Sequence, residues 1–184
     1  MPHKGKWQFN WYYRYMSRLI PHQLTFLLAD VRSAQNVGVI MRTADALDID
    51  VWTSGLTPHP SVPNDIRPPH VADRAKTLIA KTALGAEAAV FKQHYDLTAT
   101  AVTAAHHLNW QVLALELSSS AKNLFEFHLS APSLLIVGHE RLGLDNAILH
   151  TVDKILAIPM FGFKESLNVA VAASIAGYHL RLSN

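Results

Sequence analysis

Three short stretches of this sequence gather polar side chains where they could do chemistry. In residues 158–172 (IPMFGFKESLNVAVA), Ser166 and Asn168 stand where a Pro/Gly-bearing loop gives way to a long helical run of small residues. A helix start offers unpaired N–H donors and a positive dipole end, so an apolar, backbone-rich pocket beside it could hold a small polar ligand. In residues 36–44 (NVGVIMRTA), Asn36 is of the type that caps helices. Gly38 in the first turn costs helix stability and points to a close backbone approach. Arg42 carries a charge that forks onto phosphate or carboxylate, although an intrachain salt bridge is the plain alternative. In residues 138–144 (GHERLGL), two glycines suit a tight loop presenting backbone groups, and Glu140 could pin an arginine or cap a helix.

Other chemistries are disfavoured. His139-Glu140 superficially matches a zinc-protease motif, but the second histidine position is Gly143. The eleven histidines are scattered without ligand spacing, so no metal is expected. Without cysteine there is no thiolate nucleophile, thiolate metal site or disulfide framework. A phosphate-cradling Walker loop and a Gly-x-Gly-x-x-Gly turn are both missing, which argues against a nucleoside triphosphatase and an ordinary Rossmann dinucleotide site.

These stretches must be positioned by the elements around them. Residues 24–29 read as a buried strand, 37–47 as a helix capped by Asn36, and 49–53 as a second strand. A proline-rich loop over 58–69 leads to a helix over 72–84 that Gly85 ends. A weak strand at 88–91, a helix at 97–108 and strands at 112–117 and 134–137 follow. The loop 138–143, a short helix near 146–149, a strand at 155–158 and a helix at 167–182 complete the pattern. Strand and helix taking turns predict an α/β fold, a mostly parallel sheet with helices on both faces. Ligands in such sheets bind at the carboxyl ends of strands, where residues 30–42, 138–144 and 159–168 and the loop after Leu117 would lie.

At 184 residues, 49% hydrophobic and 16% charged, the chain suits one globular domain with a real core. No apolar stretch approaches the ~20 residues that span a bilayer, so no membrane partner is expected. Residues 7–18 mix aromatics with Lys, Arg and Asn instead of forming a secretory signal, and a cytoplasmic location is expected. A pI near 8.9 permits nucleic-acid binding without demanding it. The expected organisation is an aromatic and basic arm over residues 1–22 and a single domain over 23–184. That arm interleaves Lys4, Lys6, Trp7, Trp11, Arg14 and Arg18, a composition that can neutralise phosphates and stack on bases, or simply dock on the body or a partner subunit. The last helix is apolar nearly all round, so it must be covered on several sides, by its own sheet and another subunit or, without oligomerisation, by the core alone.

Taken together, these segments resemble the three motifs of the SPOUT (SpoU–TrmD) RNA methyltransferases, in the TrmH-like ribose 2′-O-methyltransferase branch. The first motif is carried by Asn36, Gly38, Arg42 and Ala44. The second runs from Ile136 through Gly138, Glu140 and Gly143 to Leu144, and the third from Ile158 through Met160, Gly162 and Ser166 to Val169. Residues 81–86 (KTALGA) also look like the segment between motifs one and two. One such motif would be weak; three in order, from Leu24 to the C-terminus, are specific.

The resemblance implies a C-terminal trefoil knot, S-adenosyl-L-methionine as methyl donor, and a homodimer formed through the C-terminal helix region. It implies that Leu115, Glu116, Gly138, Ile158, Met160 and Leu167 hold the donor, largely through backbone groups. Arg42 would serve the target ribose as general base or as electrostatic stabiliser, with Asn36, Glu140, Ser166 and Asn168 organising the site. The expected substrate is RNA, tRNA ahead of rRNA. A non-catalytic RNA-binding member of the fold and an unrelated α/β small-molecule enzyme are the competing readings. His139, Arg141 and Ala170 depart from common relatives, and Arg141 adds charge near the site.

Overall fold

The computed structural model describes residues 24–63 and 65–183; the expectations for residues 1–22 lie outside them. Its first half runs β1 (Leu24–Ala29), α1 (Ala34–Leu47), β2 (Asp50–Ser54), α2 (Pro69–Ala83), α3 (Glu87–Val90), β3 (Phe91–Tyr95) and α4 (Thr98–His107). Its second half runs β4 (Gln111–Leu115), β5 (Lys122–Asn123), a 3₁₀ turn (Leu124–Glu126), β6 (Ser133–Val137), α5 (Asn146–Leu149), β7 (Lys154–Ala157) and α6 (Val169–Leu182).

All six residues of β1 are buried, as an unbroken apolar run requires in a sheet covered on both faces. The seven strands lie in the order β3-β2-β1-β6-β4-β7-β5, and every pairing is parallel. Alternate strand residues divide between two cores. Phe26, Leu28, Leu113 and Leu135 pack with α1, α2 and α6, while Leu27, Val112, Leu134 and Ile136 pack with Ala101, Val102 and Ala105 of α4. Helices therefore cover both faces, and the direction of winding reverses between β1 and β6. A parallel sheet opens a crevice at such a switch point, beyond the strands' carboxyl ends.

The helix after β1 starts three residues earlier than expected. Ser33, not Asn36, is its N-cap, accepting a hydrogen bond from the Asn36 N–H at 3.3 Å. Both are capping residue types, so the choice rests on tertiary partners, and the Asn36 side chain is left available for other contacts. Gly38 does mark a close approach. A Cβ there would sit 2.1 Å from Thr82 Oγ1 and 2.5 Å from the Ile79 carbonyl oxygen, and the Thr82 hydroxyl donates to the Gln35 carbonyl across the same contact at 3.0 Å. The KTALGA stretch thus supplies the partner surface for the first motif.

Residues 88–91 are not the expected strand. Glu87–Val90 forms a short helix, with the Glu87 carboxylate accepting from the Gly85 N–H at 3.0 Å, and the strand follows at Phe91–Tyr95. This edge strand carries Lys92, Gln93 and His94, polar side chains that blunt an exposed edge but hide its period. Two-residue β5 was also unforeseen. The small residues of α6 serve the core: Ala173 and Ala176 are fully buried, and a Cβ on Gly177 would meet Phe26 at 2.6 Å. Val171, Tyr178 and Leu182 of the same helix are exposed.

Gly38→Ala should cost about 1–3 kcal/mol, because a methyl group at this crossing must push apart two packed helices. The expected reading is a thermal midpoint several degrees below the parent; a midpoint at or above the parent's would refute the close-packing account.

Candidate active site

At the carboxyl ends of β4, β6 and β7 lies a cavity of about 300 Å³, at the small end of ligand-pocket sizes. Leu115, Glu116, Gly138, Ile158, Met160 and Leu167 all line it, as do Glu140 and Ser166. The six residues expected to hold a donor are therefore brought together around one space.

Local sequence explains its walls. Residues 138–143 close on themselves, the His139 and Gly143 N–H groups donating to each other's carbonyls at 3.2 and 3.0 Å. Gly143 has φ +68°, the left-handed region, and a Cβ on it would lie 2.3 Å from Glu116 Oε2. That oxygen instead accepts from the Leu144 N–H at 2.9 Å, while Glu116 Oε1 accepts from the Leu117 N–H at 2.9 Å. A Cβ on Gly138 would meet the Gly143 carbonyl group at 2.7 Å, so both glycines are demanded by backbone packing. His139 stabilises the loop from within, its Nδ1 accepting from the Arg141 N–H at 3.0 Å. In the neutral ring this assigns the proton to Nε2.

Glu140 links the loops. Its Oε2 accepts from the Arg32 N–H at 3.1 Å, and its Oε1 from the Ser33 N–H at 3.1 Å and Asn36 Nδ2 at 2.9 Å. Asn36 Oδ1 accepts in turn from Asn168 Nδ2 at 3.2 Å. Asn168 Oδ1 then caps α6, accepting from the Ala170 and Val171 N–H groups at 2.9 and 3.3 Å. One side chain from each of the three motif stretches thus joins a single hydrogen-bonded line. Burial pushes the Glu140 carboxyl up, but hydrogen bonds from its own N–H, Asn36, Arg32 and Ser33 outweigh it and hold the group below its ordinary value. Glu140 is therefore an anion at neutral pH. The Arg32 and Ser33 donors were missed in the sequence, where only the cap-type Ser33 hinted at them.

Arg42 is the site residue that stands apart. It does not line the cavity, and by helix geometry it sits about 120° around and ~9 Å along α1 from Asn36. It is exposed, and its guanidinium has no hydrogen-bond or ion-pair partner among the described residues, so the intrachain salt bridge is not formed. Ser166, at the cavity wall, is exposed and likewise unpartnered among the described residues. Arg141 lines the cavity, while Ala170 is buried in the core. Among the described residues there is no group of three or more metal-ligating side chains, and no helix long and apolar enough to cross a membrane.

Residues 23–178 match the SpoU rRNA Methylase family. The tRNA (guanosine(18)-2′-O)-methyltransferase of Escherichia coli (strain K12) is 28% identical over 155 residues, which make up 84% of this chain and 61% of that protein. The chain thus spans about three fifths of that relative's length. The crystal structure of the A. aeolicus TrmH/SpoU tRNA modifying enzyme superposes with a TM-score of 0.71 at 24% identity, covering 94% of this chain and 82% of that one. The SpoU methyltransferase AviRb from Streptomyces viridochromogenes, solved in complex with the cofactor AdoMet, gives a TM-score of 0.70 at 24% identity over 88% of this chain and 57% of that one. At these identities the structural likeness is one of fold.

Because Glu140 is held below its ordinary value, its stabilising contribution is fully present above the unfolded carboxylate pKa and is lost as pH falls through the folded one. Glu140→Gln should accordingly lower the urea midpoint at neutral pH, with the gap to the parent narrowing towards about pH 3. Equal gaps at both pH values would show that the ionised carboxylate does not hold the loops.

Proposed function

The chain belongs to the SpoU rRNA methylase family, and from that membership we propose that it is an S-adenosyl-L-methionine-dependent RNA methyltransferase acting on a ribose 2′-hydroxyl, in tRNA ahead of rRNA. The observation that carries this reading is the Glu140–Asn36–Asn168 line, which draws the three motif stretches together beside a cavity at the sheet's carboxyl edge. The E. coli relative's activity favours tRNA; the family's own description keeps rRNA as the second reading. A non-catalytic RNA binder would have no need of the full set Asn36, Arg42, Glu140, Ser166 and Asn168.

The residues fit the donor. Gly138 and Gly143 have their Cβ positions taken by neighbouring backbone and by Glu116, so no side chain is accommodated at these two places in the cavity wall. Leu115, Ile158, Met160 and Leu167 add an apolar lining. When bound, S-adenosyl-L-methionine supplies an electrophilic methyl group on a sulfonium sulfur.

The attacking ribose oxygen must lose its proton as the new O–C bond forms. Arg42, exposed and unpartnered among the described residues, is free to meet RNA. A guanidinium is a cation with five N–H donors and no acceptor, so its role is to stabilise the developing alkoxide and grip a phosphate, with phosphate or water taking the proton. Ser166 offers an uncommitted hydroxyl at the cavity wall to orient the ribose. Glu140, Asn36 and Asn168 hold the loops in place and are positioning residues.

The working form in this reading is a homodimer. Phe161 and Phe163 are 97% and 105% exposed, and Val171, Tyr178 and Leu182 lie bare on the neighbouring helix. Apolar side chains so displayed beside a functional loop are what a second copy would cover. The trefoil knot, a cytoplasmic location and an RNA-contacting arm over residues 1–22 belong to the same proposal.

Mapping 2′-O-methyl nucleotides in tRNA and rRNA by mass spectrometry, with and without the gene, tests the reaction: one lost ribose methyl group is expected, and no lost methylation would refute it. In the purified enzyme Arg42→Ala should slow methyl transfer at least ~100-fold with donor affinity within about twofold of the parent. Near-parental turnover in that variant would remove Arg42 from the reaction.

A further inference from the structure

A second and larger cavity, about 930 Å³, opens beside the first, where the carboxyl ends of β1, β2 and β3 face the proline-rich loop and α2. The chemistry described above uses none of it. From the way its walls are built, and on the footing of the proposed RNA substrate, we infer that this groove binds an unpaired stretch of the RNA flanking the methylated nucleotide.

The walls combine cations with bare apolar side chains. Arg32 and Arg74 line the groove, are exposed, and have no hydrogen-bond or ion-pair partner for their guanidinium groups among the described residues. Lys92 joins them, 3.2 Å from Asp50. Between these charges lie Leu56, 66% exposed, Ile66, 95% exposed, and Val71. Free guanidinium groups can meet the phosphates of a single strand, and the exposed aliphatic side chains between them can pack against its bases. The acids in the walls are Asp65 and Asp96, and Asp65 is committed to Arg67.

The groove is also braced. Arg67 donates to Asp65 Oδ1 through Nε at 2.8 Å and to the His59 carbonyl through Nη1 at 3.1 Å, tying the proline-rich loop to itself. His59 and His94 stack with ring centroids 3.9 Å apart. Burial pushes His59 down to about 4 and His94 in the same direction, so both rings are neutral at physiological pH and serve as wall, not as charge.

Position connects the two cavities. Arg32 lines the groove while its main-chain N–H is held by Glu140, which lines the first cavity. One hydrogen bond, from the Arg32 N–H to Glu140 at 3.1 Å, thus joins a residue of the groove to a residue of the first cavity.

The test measures binding of an unmodified tRNA transcript over a series of salt concentrations, for the parent, Arg74→Glu, Leu56→Ser and Lys76→Glu. Lys76 makes the same charge change on the same helix, but lies about 200° around α2 from Arg74 and outside the groove. Arg74→Glu should weaken RNA binding about tenfold and reduce the salt slope by about one. Leu56→Ser should weaken it several-fold with the slope unchanged, and Lys76→Glu should do neither. Calorimetric donor affinity equal to the parent's in all variants shows the fold intact. If the parent methylates RNA while Arg74→Glu and Leu56→Ser bind it like Lys76→Glu, the groove assignment falls alone. If the parent transfers no methyl group to any RNA, the underlying function falls and the groove assignment with it.

Discussion

The carboxylate of Glu140 gathers loops that the sequence keeps more than a hundred residues apart. Its partners Arg32, Ser33 and Asn36 lie 108, 107 and 104 residues away, and Asn36 reaches a further 132 residues to Asn168. Each of these partners has unmet needs of its own: two N–H groups ahead of α1, and a side-chain amide with a donor and an acceptor. A neutral group would satisfy fewer of them, and an unpaired anion at this depth would be costly to keep. Charge and donors are therefore mutually dependent, and the cavity's shape follows from their meeting. The same line ends in the cap of α6, so the loop arrangement is coupled to the helix that carries the exposed Val171, Tyr178 and Leu182.

The loop beside the first cavity is held by its own backbone for a related reason. Gly138 and Gly143 have no room for a Cβ, and the side chain that fills the space beside Gly143, Glu116, is turned to the N–H groups of Leu117 and Leu144. His139 is likewise turned inward, to the Arg141 N–H. His139 and Glu116 thus stabilise the path of this loop.

Much of this is legible in the residues themselves. Alternating strand and helix signals place the sheet and both helical layers, and Gly38 betrays a close crossing because nothing else justifies a glycine in a first helical turn. The six residues expected to hold a donor fall around one cavity because they lie at or beyond the carboxyl ends of β4, β6 and β7. What the sequence hid is tertiary in origin. Ser33 and Asn36 are equally good caps on local grounds, and only Glu140 and Asn168 decide between them. The edge strand Phe91–Tyr95 carries a polar surface that erases its period, and β5 is too short to have one. Arg42, expected at the target ribose, lies outside the cavity, and about one and a half helical turns separate it from Asn36.

The two cavities divide recognition between different kinds of group. The first is walled by Leu115, Ile158, Met160 and Leu167 together with the polar Glu116, Glu140, Arg141 and Ser166. The second is walled by Arg32, Arg74, Leu56 and Ile66, side chains from separate segments whose replacement leaves the sheet untouched. Changes there alter charge and contact area without moving the loops that Glu140 holds. On this division, a methyltransferase of this architecture could change its RNA by substitution along the groove while keeping its donor site intact. Arg32 is where the two functions meet: its backbone is fixed by the first cavity's network, and its side chain is free to face the second. The backbone hydrogen bond fixes where that cation projects, so under the proposed reading RNA placement and loop placement share one geometric reference.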